Sequence, residues 1–145
     1  MKHKIGHLIS SSKYAGIEQH INELVSEFQN TDIKATIIAD KKIKNHFNNL
    51  NFINFANKYR FNPFNIIRLY KILKQNEIQL LHCHGNKSIL LGSILKNFLN
   101  IKLVATVHAF KSKQQSVKNY DVVIKVNKNI NSVSYTHLRA HETFA

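Results

Sequence analysis

The sequence has little of several residue types that often define a class of protein. Cysteine occurs once, so no disulfide can form within the chain, and a reducing compartment is indicated. Tryptophan is absent and proline occurs once, so there is no proline-rich linker. No apolar run is long enough to span a bilayer, and the first apolar segment is too short for a signal peptide. We therefore expect a protein of the cytoplasm, peripheral at most to the inner face of a membrane.

Acidic residues are also scarce. There are 8 Asp and Glu against 21 Lys and Arg, which gives a formal net charge of +13 and a pI of about 10.0. Such a charge favours anionic partners, but the basic residues are scattered and form no nucleic-acid motif, so no nucleic-acid partner is expected. The 145 residues, 43% of them hydrophobic, fit one folded domain.

The last residues differ in character from the rest. The stretch VSYTHLRAHET at 133–143 interrupts a chain otherwise rich in Lys, Asn and Ile, and it has neither helical nor strand periodicity. It resembles the out-of-frame translation of a sequencing-library adapter. We therefore expect residues 1–132 to be the natural domain, itself incomplete, and residues 133–145 to be a non-native tail without chemistry.

Apolar patterns predict strands that alternate with helices. Helices are expected after Gly16, where Ile21 and Val25 lie on one apolar stripe, after the Asn62-Pro63 start signal, and from Asn86. Strands are expected at about residues 4–10, 31–39, 51–55, 78–84, 102–108 and 120–126. This alternation predicts a Rossmann-like parallel sheet with helices on both faces.

The motif HCHG at residues 82–85 carries the only cysteine between two histidines. Strand side chains alternate, so His82 and His84 should face one way and Cys83 the other. Because no further ligand stands at a zinc-site spacing, no metal is expected. Cys83 is predicted to be a small buried residue and His82 a hydrogen-bonded residue packed on the next helix. For His84, a pocket-lining and a structural role both stay open.

Three chain segments should meet at the carboxyl edge of this sheet: SKYAG, HCHGN and VHAF. Gly16, His84 and His108 mark the three segments. The helix that follows Gly16 offers free N–H groups to phosphate or sugar hydroxyls, and Gly16 can adopt backbone angles closed to other residues. Glu18 suits the positive end of that helix and need be no more than a stabilising charge.

Four motifs in order, YAGIEQHINEL, IQLLHCHGNKS, KLVATVHAF and YDVVIKVN, resemble the amino-terminal domain of GT-B glycosyltransferases of the family 4 type. The resemblance covers about residues 4–131. It implies transfer of a sugar from a nucleotide-sugar donor to a glycan or lipid-linked acceptor in bacterial surface polysaccharide synthesis, with no metal and no cofactor. The amino-terminal domain of the family mainly holds the acceptor, so this segment alone should be inactive.

The resemblance also implies roles for individual residues. His108 would act at the transferred sugar, which makes it the catalytic candidate. The chain departs from the family where Ala15 replaces the first residue of a glycine pair. The residues expected to bind substrate are Ala15, Gly16, His84, Gly85 and Asn86.

Two alternatives stay open at this stage. The chain could be a self-contained Rossmann-like or flavodoxin-like binding module rather than part of an enzyme. The basic and aromatic stretch NKYRFNPF at residues 57–64, with Lys41, Lys42 and Lys44, could touch an anionic membrane surface. A solvated loop with an aromatic anchor in the core is the interpretation we prefer for that stretch.

Overall fold

A computed structural model describes residues 3–10, 16–47, 50–56, 62–107, 117–127 and 132–136. Over these residues the strands are β1 (His3–Ile9), β2 (Ile33–Ala39), β3 (Asn51–Asn54), β4 (Leu80–His84), β5 (Lys102–Val107), β6 (Val122–Asn127) and β7 (Ser132–Thr136). The helices are α1 (Gly16–Glu27), α2 (Pro63–Gln75), α3 (Asn86–Leu95) and a short 3₁₀ helix (Lys41–His46).

The strands form one sheet in the order β3-β2-β1-β4-β5-β6-β7. Strands β1 to β6 run parallel to one another, and the chain reaches each next parallel strand through a crossover connection. The order reverses between β1 and β4, as in a doubly wound sheet. The predicted Rossmann-like parallel sheet is therefore confirmed.

Strand β7 corrects one expectation. It lies in the stretch for which the sequence showed no strand periodicity, yet it pairs antiparallel with β6, with Ser132 opposite Asn127. An edge strand needs only backbone pairing along one side, so it can form without an alternating apolar pattern. The strand crosses the expected boundary at Ser132, and the origin of the tail stays a prediction.

Helices cover both faces of the sheet. On one face, Ile21 and Val25 of α1 pack on Ile9, Ile37 and Ala39. On the other face, Leu69 and Leu73 of α2 and Ile89, Leu91 and Leu95 of α3 pack on Leu8, Ile38, Leu81 and Leu103. Neighbouring residues of a strand thus serve opposite faces, as its alternation requires.

The start of α2 shows how local chemistry sets an element's boundary. The Asn62 side chain accepts a hydrogen bond from the Phe64 N–H over 3.0 Å, and Pro63 occupies the first helical turn. The cap satisfies one of the N–H groups that have no partner inside a helix. Sequence and structure agree on this start.

The helices of the described ranges are short. None of them is both long and apolar enough to cross a bilayer.

Candidate functional site

The carboxyl ends of β1, β4 and β5 meet at one edge of the sheet. Ile9 at the end of β1 stands opposite His84 at the end of β4, and His84 stands opposite Thr106 of β5. Strand β5 ends at Val107 on the same edge. In doubly wound sheets, the crevice at the reversal of strand order is the usual ligand site, and here it lies between β1 and β4.

A cleft of about 250 Å³ opens at this reversal point. It is lined by Ile9, Ser10, Glu18, His84, Gly85, Asn86 and Lys87. Three of the residues predicted to bind substrate, His84, Gly85 and Asn86, thus line a common cleft. Exposed Gly16 begins α1, two residues before Glu18, and is not in the lining. Ala15 and His108 lie outside the described residues.

Glu18 belongs to the site, although the sequence pattern indicated only a charge that stabilises the helix. It lies in the first turn of α1 and is only 1% exposed, so its carboxylate is buried in the cleft wall rather than solvated. A helix-stabilising charge alone does not require burial, and charged groups are seldom buried without partners. The sequence contained a partial indication that Glu18 belongs to the site, because Glu18 lies two residues after Gly16, which was expected at the edge of the site.

Gly85, not Gly16, has the unusual backbone. Among the described glycines, Gly85 alone has a positive φ, +87°, and its ψ is 163°. This turn leads from β4 into α3, whose first residue is Asn86. The amino end of α3 therefore adjoins the cleft. The special angles expected at Gly16 are not found, because Gly16 is already helical.

Three buried histidines lie together, and one of them, His84, lines the cleft. His7, His82 and His84 are 2%, 7% and 2% exposed, and we refer to them as the histidine cluster. A hydrogen bond joins Nδ1 of His7 and Nε2 of His84 over 3.2 Å, and the rings of His82 and His84 stack with centroids 4.0 Å apart. The predicted common face of His82 and His84 is confirmed.

The sequence missed His7 because it lies about 75 residues before HCHG. Strand pairing places it directly opposite His82. Burial lowers the pKa of His7 from its ordinary value to about 4, so its imidazole is neutral at neutral pH. The cluster was therefore visible only once the register of β1 on β4 was known.

His82 is hydrogen-bonded, as predicted. Its Nε2 lies 2.6 Å from Oγ1 of Thr106. The prediction that it packs on the next helix is wrong, because alternation gives that position to Cys83.

Cys83 faces α3 on the opposite side of the sheet. It is fully buried, close to Gly92 and Tyr120, which confirms its predicted role as a small buried residue. Burial raises the pKa of the Cys83 thiol to about 12, and that of Tyr120 is raised by burial as well. Such a thiol is protonated at neutral pH and is no nucleophile.

The strand order and the cleft at its reversal point define a Rossmann-like domain of the kind found in GT-B glycosyltransferases. Solved structures that share this fold include the following three. They are a glycosyltransferase from Rickettsia africae (TM-score 0.65, 17% identity, 86% of this chain), MurG from Acinetobacter baumannii (0.65, 14%, 88%) and HepE from Anabaena (0.64, 15%, 83%).

The sequence profile described as Glycosyltransferase Family 4 matches residues 14–139. The chain therefore belongs to glycosyltransferase family 4. It spans only 37%, 42% and 37% of the lengths of the three structural neighbours, respectively. Among curated protein sequences, none matches the chain.

Proposed function

We propose that this chain is the acceptor-side domain of a glycosyltransferase that moves a sugar from a nucleotide-sugar donor to a glycan or lipid-linked acceptor in surface polysaccharide synthesis. Family membership supports the reaction class. The chain's span of 37–42% of its neighbours supports the need for a second, donor-binding domain. In this proposal the domain alone binds acceptor without transferring sugar.

The observation that carries the proposal is the polar wall of the cleft. Glu18 supplies a buried carboxylate and His84 a buried imidazole, both lining the same cavity. Ser10 adds a hydroxyl, held 2.7 Å from the hydroxyl of Ser88 on α3. Sugars present several hydroxyl groups, and a carboxylate and an imidazole can accept hydrogen bonds from them in a site of low dielectric.

Two observations support a nucleotide sugar as the donor. Helices α1 and α3 both begin at the cleft edge, where N–H groups without helical partners suit phosphate oxygens. HepE was solved with UDP and glucose, which supports a nucleotide sugar as the donor. The nucleotide is a good leaving group in its own right, so the proposed transfer uses no cofactor.

We further propose that the domain works in the cytoplasm and touches the inner face of a membrane through α2. Phe64 and Ile67 of α2 are 74% and 52% exposed, and Ile67 lines an apolar groove of about 330 Å³ together with Phe98, which follows α3 and is 65% exposed. Arg68, Lys71 and Lys74 are basic residues of α2. Phe64 is therefore not buried in the core. The interpretation of NKYRFNPF as a solvated loop with an aromatic anchor in the core loses that part of its support. The rest of NKYRFNPF, apart from Asn62 and Pro63, lies outside the described residues.

Replacement of Glu18 by Gln tests the sugar site. The change keeps the shape of the side chain and removes its charge, so the domain should stay folded while acceptor hydroxyls lose a strong partner. In the intact enzyme we expect kcat/KM to fall by about tenfold to a hundredfold, as one charge-assisted hydrogen bond is worth about 1.5–3 kcal/mol. Release of UDP from a UDP-sugar with acceptor present measures the rate.

Glu27→Gln is the matched control, because Glu27 is an exposed carboxylate on the same helix. It should leave the rate unchanged. Equal rates for Glu18→Gln and the wild type would remove the cleft from the mechanism. Absence of any transfer by the wild type, with binding of a small ligand retained, would favour the self-contained binding module instead.

A further inference from the structure

Sugar binding in the cleft accounts for only one of the three residues of the histidine cluster. Of its members only His84 lines the cleft, and His7 and His82 are not part of the lining. We propose that His7, His82 and His84 form a site for a divalent transition-metal ion of the zinc type. This inference goes beyond the proposed sugar transfer and does not rest on it.

The nitrogen atoms lie close enough together to converge on such an ion after small movements of the rings. One ring nitrogen from each histidine lies within 4.8 Å of the other two. One pair, Nδ1 of His7 and Nε2 of His84, is 3.2 Å apart. Two nitrogens bound tetrahedrally to zinc at about 2.0–2.1 Å lie about 3.3 Å apart. An ion bound here would replace the shared proton of this hydrogen bond, and the rings would turn so that their nitrogens point at the ion.

Thr106 supplies the support that metal-bound histidines usually have. Its Oγ1 lies 2.6 Å from Nε2 of His82, which fixes the orientation of that ring. Bound histidines commonly use one ring nitrogen for the metal and the other for such an outer hydrogen bond. His82 would therefore bind through Nδ1, with its Nε2–H donated to Thr106.

The sheet holds the ligands rigidly, and the ligand type selects the metal. His7 and His82 are paired across β1 and β4 in the middle of the sheet, where the backbone is well fixed. An all-imidazole set favours Zn²⁺, Co²⁺, Ni²⁺ or Cu²⁺ over Mg²⁺ and Ca²⁺. The buried Glu18 carboxylate lines the same cleft as His84 and offsets part of the added positive charge. Three protein ligands leave a fourth position for water.

Metal binding by the purified chain tests the proposal. His3 is exposed and near the amino terminus, so the measurements use a His3→Gln background that removes this competing ligand. Co²⁺ absorption spectra and Zn²⁺ dialysis with metal analysis should show one ion per chain in tetrahedral geometry. X-ray absorption of the zinc form should count three imidazole ligands. Fewer than three imidazoles, or no binding at micromolar metal, would overturn the proposal.

Variants separate the cluster from other metal-binding groups. His7→Gln should weaken Zn²⁺ binding by at least a hundredfold, and Thr106→Val, which leaves all three ligands in place, by about tenfold to a hundredfold. His46→Gln, on the exposed 3₁₀ helix, is the control and should change nothing. Circular dichroism checks that each variant is folded. Should His7→Gln not fold, Thr106→Val decides: unchanged affinity would leave the cluster as a hydrogen-bond network only.

Discussion

At the scale of single residues, Gly92 is the position where the core leaves no space. A Cβ atom there would lie 2.7 Å from Sγ of Cys83 and would clash with the Tyr120 hydroxyl, which donates to the Ile89 carbonyl over 2.6 Å. We expect Gly92→Ala to lower the free energy of unfolding by about 1–3 kcal/mol, because overpacking forces side chains from their positions. Urea unfolding measures the change.

Gly16→Ala is the matched control, since a Cβ at Gly16 would meet nothing within 4 Å. Its unfolding midpoint should not fall. Adding Tyr120→Phe to Gly92→Ala should cost less than the two changes separately, because it removes the clashing hydroxyl. Strict additivity of the two changes would contradict the packing explanation.

His108 remains a prediction of the sequence. Strand β5 ends at Val107, at the cleft edge, and His108 is the next residue. In the intact enzyme, His108→Ala should reduce kcat/KM about tenfold through the loss of one hydrogen bond to the sugar, with the thermal midpoint unchanged. His46→Ala serves as the exposed control. Full activity in a folded His108→Ala enzyme would exclude the residue from the mechanism.

At the scale of elements, Asp121 ties β6 to β5. Its Oδ2 accepts from the Leu103 N–H over 2.8 Å and from the Lys96 ammonium over 3.1 Å. Burial raises the pKa of this carboxyl, but the Leu103 N–H and Lys96 lower it more, so the net pKa is below its ordinary value. The charged form is thus the one that the folded state prefers.

Asp121→Asn should therefore destabilise the domain at neutral pH by about 1.5–3 kcal/mol, the usual range for hydrogen bonds to a charged group. A lowered folded-state pKa gives stability that is present above the ordinary value of 3.8 and is lost as pH falls through the folded-state pKa. The gap between variant and wild type should close in acid, as urea titrations at several pH values would show. Glu77→Gln, which breaks the exposed Lys4–Glu77 pair, should have a much smaller effect than Asp121→Asn, because solvent screens that pair. A gap that does not depend on pH would contradict this assignment.

Sequence patterns predicted most elements because each rests on local chemistry. The Asn62-Pro63 start of α2 and the apolar stripe of α1 need no knowledge of distant residues. The opposed faces of His82 and Cys83 follow from strand alternation alone. His7 could not be assigned to the site, because its place depends on the pairing of β1 with β4. The burial of Glu18 depends on how α1 packs over the sheet edge, which a helical pattern does not specify.

At the scale of the whole molecule, the net charge of +13 and the exposed apolar residues of α2 should act together at a membrane. We expect the chain to float with vesicles containing phosphatidylglycerol and to dissociate as salt rises, since each basic residue near the surface contributes about 1 kcal/mol. Phe64→Ser with Ile67→Ser should weaken that binding. Vesicles of phosphatidylcholine alone are the control. Undiminished binding of the double variant would remove the α2 face from the proposal.

The pairing of β1 with β4 joins two properties that are usually thought of separately. Because His7 stands opposite His82 and Leu8 opposite Cys83, the same two strands supply both the histidines and the packed interior. Deleting one residue early in either strand would shift its register by one. Its histidines would then face α2 and α3, and its apolar side chains would face the cleft. Natural variants of these strands should therefore change by substitution, with insertions and deletions confined to the connections between them.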